Sequence, residues 1–479
     1  MRPLAALLLL LAAPLAAQAP AAARTPHQQL ARSVYEELVE INTVDSVGST
    51  TRAAQAMAAR FRAAGFPAAD VRVLVPAGKP TKGNLVVRYR GRPSTGAGQG
   101  KPILLLAHLD VVAANRADWP RDPFVLHEQD GYFYGRGTAD DKAMAAMFVA
   151  NLLRMRREGL TPERDLVLAL TADEEGGDAN GVEFLLAKHR ALVDAAYAIN
   201  EGGGGTLDGP GADARPLFHS VQAAEKVPED YTLAARNPGG HSSVPRPDNA
   251  IYQLAEALRR VAAHRFPVTL NPVSRAFFEQ TARVEKPDMA AAMRALVANP
   301  ADTAAAATVA RDPRYNSMLR TTCVATRLAG GHAYNALPQT ATANVNCRIV
   351  PTSSAEAVRA ELARVIGDSG VAVSFTLPDR ERFPESTAAV EPAVLEATTE
   401  LTRRMFGDVP VVPTMSTGAT DGRFLRAAGI PTFGVSGIFS SPGETNAHGR
   451  DEKLRVKSFY EGLEFLDQLV RRLAGAPRA

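Results

Sequence analysis

The run Ile103-Leu104-Leu105-Leu106-Ala107 leads directly into His108-Leu109-Asp110. Consecutive apolar residues without polar alternation read as a strand covered on both faces, as in a parallel sheet. The polar side chains at its end are of kinds that bind metal or carry protons. The pattern recurs downstream: Leu166–Leu170 leads into Asp173, Glu174 and Glu175, and Ala195–Ile199 ends at Glu201. Ligands of open α/β sheets sit outside the carboxyl ends of the strands. Three such ends therefore predict one convergent metal site and a catalytic protein.

Working outward, His27–Phe66 reads as helices from the recurrence of Leu30, Val34, Leu38 and Ile41. Strands are predicted at Val71–Val75 and Asn84–Tyr89, and helices at Lys142–Glu158 and Val182–His189. This alternation predicts an α/β fold with a doubly wound, mostly parallel sheet. The texture shifts near Lys226. Strands at Tyr231–Ala235, Cys323–Leu328, Thr342–Ile349 and Val371–Thr376, with helices at Asn249–His264 and Ser354–Ile366, predict an inserted α+β domain. An Ala-rich helical region, about Met289 to Ala310, lengthens it. The α/β texture resumes with helix Ala393–Phe406, strand Pro431–Val435 and helix Val456–Ala474. The expected domains are thus a catalytic unit in two segments, 27–225 and 383–475, with an insert at 226–382. Gly91–Lys101 and Gly202–Gly211 read as Gly-rich loops.

The 479 residues carry a formal charge of only +3, and no Lys/Arg block occurs, which argues against nucleic-acid binding. Arg2, the apolar run Leu4–Ala16 and Ala17-Gln18-Ala19 have the order of a secretory signal peptide, expected over residues 1–23. No later stretch is apolar enough to span a membrane, so the protein is expected to be exported, periplasmic or secreted. The two cysteines, Cys323 and Cys347, lie in strand-like runs. A disulfide, which an oxidising compartment permits, and a pair of buried free thiols both fit.

A two-metal hydrolase needs about four to five His or carboxylate ligands, one of them bridging, and a base that binds no metal. The chain offers such a set. Asp110, two residues after His108, is spaced to support the other imidazole nitrogen. Asp140 lies in Gly135-Arg136-Gly137-Thr138-Ala139-Asp140-Asp141-Lys142, a tight loop opening a helix. Glu174 and Glu175 are adjacent and must point differently, so one can ligate while the other handles a proton. His448 sits in the Gly/Pro-bounded loop Ser441–Gly449. Singly, each has a duller reading: a carboxylate after a strand is usually a cap or turn residue. Their joint placement favours the site.

These residues resemble the co-catalytic zinc peptidases and amidohydrolases, the family of aminoacylase, glutamate carboxypeptidase, carboxypeptidase S, acetylornithine deacetylase and succinyl-diaminopimelate desuccinylase. The resemblance runs from about residue 30 to 472. It rests on Ala107–Asp110, Gly135–Lys142, Asp173–Glu175, Asn200–Gly203 and Ala447–Gly449. It implies two Zn2+, with Co2+ or Mn2+ as substitutes, bridged by Asp140. His108 and Glu201 would complete one shell, and Glu175 and His448 the other. Glu174 would be the general base, and Asp110 would orient His108. In the insert, Asn237–Ser243 resembles the segment whose histidine, here His241, stabilises the oxyanion, often in a partner subunit. Gly330–Pro338 resembles a substrate-binding segment with Asn335, and Cys347–Pro351 a strand whose arginine, here Arg348, holds the substrate carboxylate. Gly418–Asp421 resembles a late supporting motif. The insert would then be a lid or dimerisation domain, and a homodimer is implied.

The implied reaction is hydrolysis of the amide bond of a small peptide or N-acyl amino acid with a free carboxylate. Glu at position 201, rather than Asp, accompanies carboxypeptidase and acylase activity in such proteins. A dipeptidase or aminopeptidase of the same family is the alternative. A catalytically dead binding module is a further one, which the intact ligand set and Glu174 disfavour.

Overall fold

The protein is described by a computed structural model covering residues 23–92, 100–211, 213–378, 382 and 390–475. The signal-peptide expectation and most of the loop 91–101 lie outside the described residues, as does all of 383–389. No helix among the described residues is long and apolar enough to cross a membrane.

A ten-stranded sheet organises the larger part of the chain. Its centre is parallel, in the order Leu166–Thr171, Ile103–His108, Tyr197–Asn200, Thr432–Gly434. Antiparallel strands extend both flanks: Asn84–Tyr89 and Val71–Leu74 on one, Pro216–Glu225 and Gly204–Leu207 on the other. All six residues of Ile103–His108 are buried, as an unbroken apolar run requires. Helices Pro26–Glu40, Lys142–Arg157 and Val456–Leu473 cover one face. Gly181–Val193 and Gly422–Ala427 cover the other through Val182, Leu185, Phe424 and Leu425. The strand Ile103–His108 lies between its two successors, so their connections leave to opposite sides. That is a topological switch point, and it places a crevice at His108.

A four-stranded antiparallel sheet, in the order Thr322–Gly330, Thr340–Ile349, Val227–Arg236, Val371–Phe375, forms the core of the insert. Thr340–Ile349 alternates buried and less buried residues, the mark of a sheet with one covered face. Helices Ala250–Ala263 and Ala355–Ile366 provide the cover, packing around Tyr231, Leu254, Val345 and Leu362. Cys323 and Cys347 face each other across the antiparallel pair and are joined in a disulfide, with Cα atoms 4.1 Å apart.

Two sequence expectations change. The loop read over Gly202–Gly211 contains a strand, Gly204–Leu207, paired with Pro216–Glu225. Tertiary pairing overrides the low strand propensity of its glycines. The Ala-rich region forms two helices, Pro287–Ala298 and Thr303–Val309, which share a hydrophobic cluster with their neighbours Pro272–Thr281 and Pro313–Leu319. This cluster reaches Val412 of the strand Val411–Ser416, on the large sheet rather than the insert's sheet. Lys226 marks the seam. Its buried Nζ donates to Ser317 O, Arg320 O and Thr322 Oγ1, each at 2.9 Å, and burial lowers its pKa to about 7.

Candidate dinuclear metal site

The carboxyl ends of the three central strands and two loops converge on His108. Its Nδ1 lies 3.0 Å from the carbonyl oxygen of Asp110. A carbonyl only accepts, so Nδ1 donates to it and Nε2 is the nitrogen left to face a metal. Nε2 faces Asp140 Oδ1 at 3.0 Å and Glu201 Oε2 at 3.7 Å. The other oxygen of Asp140, Oδ2, lies 3.2 Å from His448 Nε2, which is also 2.9 Å from Glu175 Oε1. Asp140 thus presents one oxygen to each histidine, the arrangement a bridging carboxylate needs. All five residues read from the sequence as candidate ligands lie together here. His448 has a left-handed backbone, φ +63°, as do Asn446 and Asp451 in the same loop. Such strain in non-glycine residues concentrates at functional sites.

Asp110 acts differently from its expected role. Its backbone carbonyl holds the His108 ring, while its carboxylate sits 3.7 Å from Nδ1. That carboxylate instead accepts from the amides of Glu174 and Glu175, at 3.2 and 3.0 Å. One aspartate therefore fixes a histidine ligand and the neighbouring acidic pair together. Among the described residues no side-chain hydrogen bond engages the Glu174 carboxylate.

The charges call for cations. Burial, reinforced by Glu201, pushes Glu174 up to about 10, and burial with Asp140 nearby pushes Glu175 to about 7. Burial opposes charging His108, yet Glu201, Asp110 and Asp140 hold it well above the imidazole range. Hydrogen bonding to Asp140 lifts His448 to about 9. Protons thus stand in for the positive charge that this cluster of carboxylates attracts. Ligand atoms of His108, Asp140 and Glu175 lie within 4.8 Å of one another, and so do those of His108, Asp141 and Glu201. Asp141 Oδ2 is buried with no hydrogen-bond partner, an orphan that a cation would satisfy. An all-nitrogen and -oxygen donor set suits zinc, cobalt or manganese.

Sequence reasoning missed the brace beneath this cluster. The Glu452 carboxylate accepts from Arg136 Nη1 at 2.6 Å and from the amides of Ala139, Asp140 and Gly137 at 2.8, 3.1 and 3.2 Å. Arg136 Nη2 donates to Gly449 O at 2.9 Å. The Asp140 and His448 loops are thereby tied to one buried ion pair. The only hint in the sequence was Arg136 within its glycine motif, since Asp451-Glu452-Lys453 looks like an ordinary solvated run. A second buried network supports the strand end at Glu201. Glu225 accepts from Thr420 N and Oγ1 at 2.8 and 2.7 Å and pairs with Arg426 at 2.8 Å, while Asn200 Nδ2 donates to Thr420 Oγ1. Asp421 accepts from Asn180 at 2.6 Å and is pushed by burial to about 7. These contacts give the Gly418–Asp421 motif its supporting role.

The insert's residues stand apart from the cluster. Gly240–His241 pairs with Ala336–Leu337, and Ser242 N donates to Asn335 O at 3.0 Å. The two insert motifs therefore form one ribbon, carrying His241 and Asn335, both exposed. Arg348 is half-buried opposite Pro228 in the insert's sheet. No hydrogen bond or ion pair among the described residues links these three to the metal-ligand cluster.

The sequence model of peptidase family M20/M25/M40 matches residues 104–472. N-fatty-acyl-amino acid synthase/hydrolase PM20D1.1 of Danio rerio is 28% identical over 381 residues, covering 78% of this chain and 72% of its own. Probable carboxypeptidase S-like 2 of Dictyostelium discoideum is 28% identical over 388 residues, covering 78% and 71%. Among solved structures, the M20 family metallo-carboxypeptidase Sso-CP2 from Sulfolobus solfataricus superposes with a TM-score of 0.67 at 17% identity, over 93% of this chain and 99% of that one.

Proposed function

Because the chain belongs to peptidase family M20/M25/M40, we propose that it is a two-zinc hydrolase of carboxypeptidase or acylase type. Its substrate is a peptide or N-acyl amino acid whose released amino acid carries a free carboxylate. The observation that carries this reading is Asp140, with one oxygen at His108 and the other at His448. Asp140, His108 and Glu201 would hold one ion, and Asp140, Glu175 and His448 the other. Bound there, two divalent ions supply an acidified water and polarise a carbonyl.

The protein's own groups do the rest. Glu174, placed by the amide that Asp110 holds, takes the water's proton and returns it to the leaving nitrogen. Arg348 pairs with the substrate carboxylate in bidentate fashion. His241 donates to the developing oxyanion, and Asn335 binds substrate beside it. Both ride on one exposed ribbon, which supports their delivery by closure of the insert or by the second protomer of a homodimer. Glu at position 201 and the acyl-amino-acid and carboxypeptidase relatives support this class over a dipeptidase. Rates on N-acyl amino acids, free peptides and C-terminally blocked peptides test it. Blocked peptides cleaved as fast as free ones would refute the carboxylate clamp. Metal analysis should find roughly two zinc per chain.

Export to the periplasm or medium is part of the proposal. The apolar N-terminal run and the Cys323–Cys347 disulfide support it, since such bonds persist in oxidising compartments. N-terminal sequencing of protein recovered from the producing cells' exterior should begin near residue 24; an intact Met1 would overturn it.

A further inference from the structure

The acidic pair Glu174-Glu175 is held from one side by Asp110, whose carboxylate accepts from both of its amides. A second hold lies behind it. Asp173, the residue before the pair, has a left-handed backbone, φ +57°, a conformation uncommon outside glycine that its surroundings must maintain. All three oxygens of Asp173 are engaged. Lys82 Nζ donates to Oδ1 at 2.6 Å, the amide of Ala179 to Oδ2 at 3.2 Å, and Asn180 Nδ2 to the carbonyl oxygen at 3.1 Å. Of these partners only Lys82 is charged, and both it and the Asp173 carboxylate are buried.

Lys82 also pairs with the exposed Asp45. Asp45 belongs to a loop that runs beside the Asp110 segment: Thr43 Oγ1 donates to Leu109 O at 2.7 Å, and Val44 forms a parallel bridge with Val111. One ammonium therefore joins the chain flanking Asp110 to the chain entering Glu174. The root of Lys82 is fixed as well. Thr51 Oγ1 donates to Pro80 O and accepts from Gly83 N, each at 2.7 Å, and Asn84 Oδ1 accepts from the amide of Ala172 at 2.9 Å. A buried ion pair adds little net stability over apolar side chains of similar volume. What it adds here is direction, since Asp173 must keep its turn for its oxygen to meet the ammonium.

We infer that Lys82 is a positioning residue for the reaction: by holding Asp173 in its turn, it aims Glu174 at the attacking water and Glu175 at the ion shared with His448. The inference rests on the two-metal reading above and extends it to a residue that touches neither metal nor substrate. Lys82→Met removes the ammonium and keeps much of the volume. On a substrate that the zinc-loaded wild type cleaves, its kcat should fall about 10- to 100-fold with KM within about threefold, because the proposed substrate contacts lie on the insert. Zinc titration against a competing chelator should show uneven loss, with one ion bound about 10- to 100-fold more weakly and the other within about twofold of wild type. Lys82→Arg should recover part of both. Where Lys82→Met fails to fold, the double variant Lys82→Met/Asp173→Asn removes both buried charges and should show the same kcat and zinc pattern. Wild-type kcat with both zinc affinities unchanged, whatever the urea midpoint, would leave the pair a purely structural one and overturn the inference. Equal weakening of both ions would overturn it too, as a general loosening of the site. A wild-type protein that binds no zinc would overturn the two-metal reading itself, and the inference with it.

Discussion

Truncating Glu452 to alanine tests whether the metal site is held from below. The change removes the acceptor of four hydrogen bonds, from Arg136 Nη1 and from the amides of Gly137, Ala139 and Asp140. Arg136 is only 2% exposed, so its charge would lose its carboxylate partner without gaining water. Breaking a buried ion pair from one side costs about 3–5 kcal/mol. Each amide left dry adds about 1 kcal/mol, and water entering the vacated space offsets part of that. A net loss of about 4 kcal/mol is expected, a large share of the roughly 5–15 kcal/mol that holds a typical native protein. Function should suffer separately. The Asp140 amide loses its anchor, and Arg136, which holds Gly449 O, loses its own. Supporting contacts of this kind are worth about 10- to 100-fold in metal affinity. Urea unfolding of the metal-loaded protein, zinc titration against a competing chelator, and kcat should all fall together. Glu452→Gln keeps the volume but offers a donor where two donors already point, so it should lie between wild type and alanine. An alanine variant that unfolds at the wild-type urea concentration and binds zinc within twofold of wild type would refute the brace.

Glu174→Gln should reduce kcat by several orders of magnitude with zinc content unchanged, because the residue handles a proton and is not a ligand; normal turnover would reassign the base. His219 is fully buried between Thr402 Oγ1 and Ser436 O, at 2.7 and 2.5 Å, and burial lowers its pKa to about 4. From pH 6.5 down to 4 the unfolded chain takes a proton that the folded chain refuses, so stability falls with pH across that window, by up to about 3 kcal/mol for this one group. His219→Gln should flatten the loss measured by urea unfolding; an unchanged slope would exclude His219 as its source. Cys323 and Cys347 close a separation of 24 residues, so the double alanine variant should lose about 3 kcal/mol, read as a lower urea midpoint with unchanged zinc content.

The central strands were legible because apolar runs without alternation admit few readings. Asn84–Tyr89 emerges with its expected bounds, and Ile103–His108 and Leu166–Thr171 each gain a single residue. The five candidate ligand residues stood out because they sit at the ends of such runs or in glycine-bounded loops. What stayed hidden depends on contacts distant in sequence. Arg136 and Glu452 are 316 residues apart, and no local pattern marks a glutamate inside an acidic, lysine-flanked run as the most deeply held carboxylate of its loop. The strand Gly204–Leu207 exists because Pro216–Glu225 lies beside it, against the preference of its own glycines. The Ala-rich helices read correctly as helices, yet their partner, the strand Val411–Ser416, was not recognisable from its own mixed composition.

The loop Ser441–Gly449 gives His448 to the candidate metal site and receives its backbone support from Arg136. A displacement of this loop would therefore move a candidate metal ligand and pull on the Arg136–Glu452 pair. Its left-handed residues are held by contacts on both sides rather than by local preference, with Asn446 Nδ2 donating to Arg450 O at 2.5 Å within the loop and Arg136 gripping it from outside. The ribbon bearing His241 and Asn335 is separate from it, joined to the large sheet through Lys226. Two duties thus fall to two parts of the fold. On the proposed reading the loop would place a metal ligand, and the insert would bring His241 and Asn335 to the bound substrate.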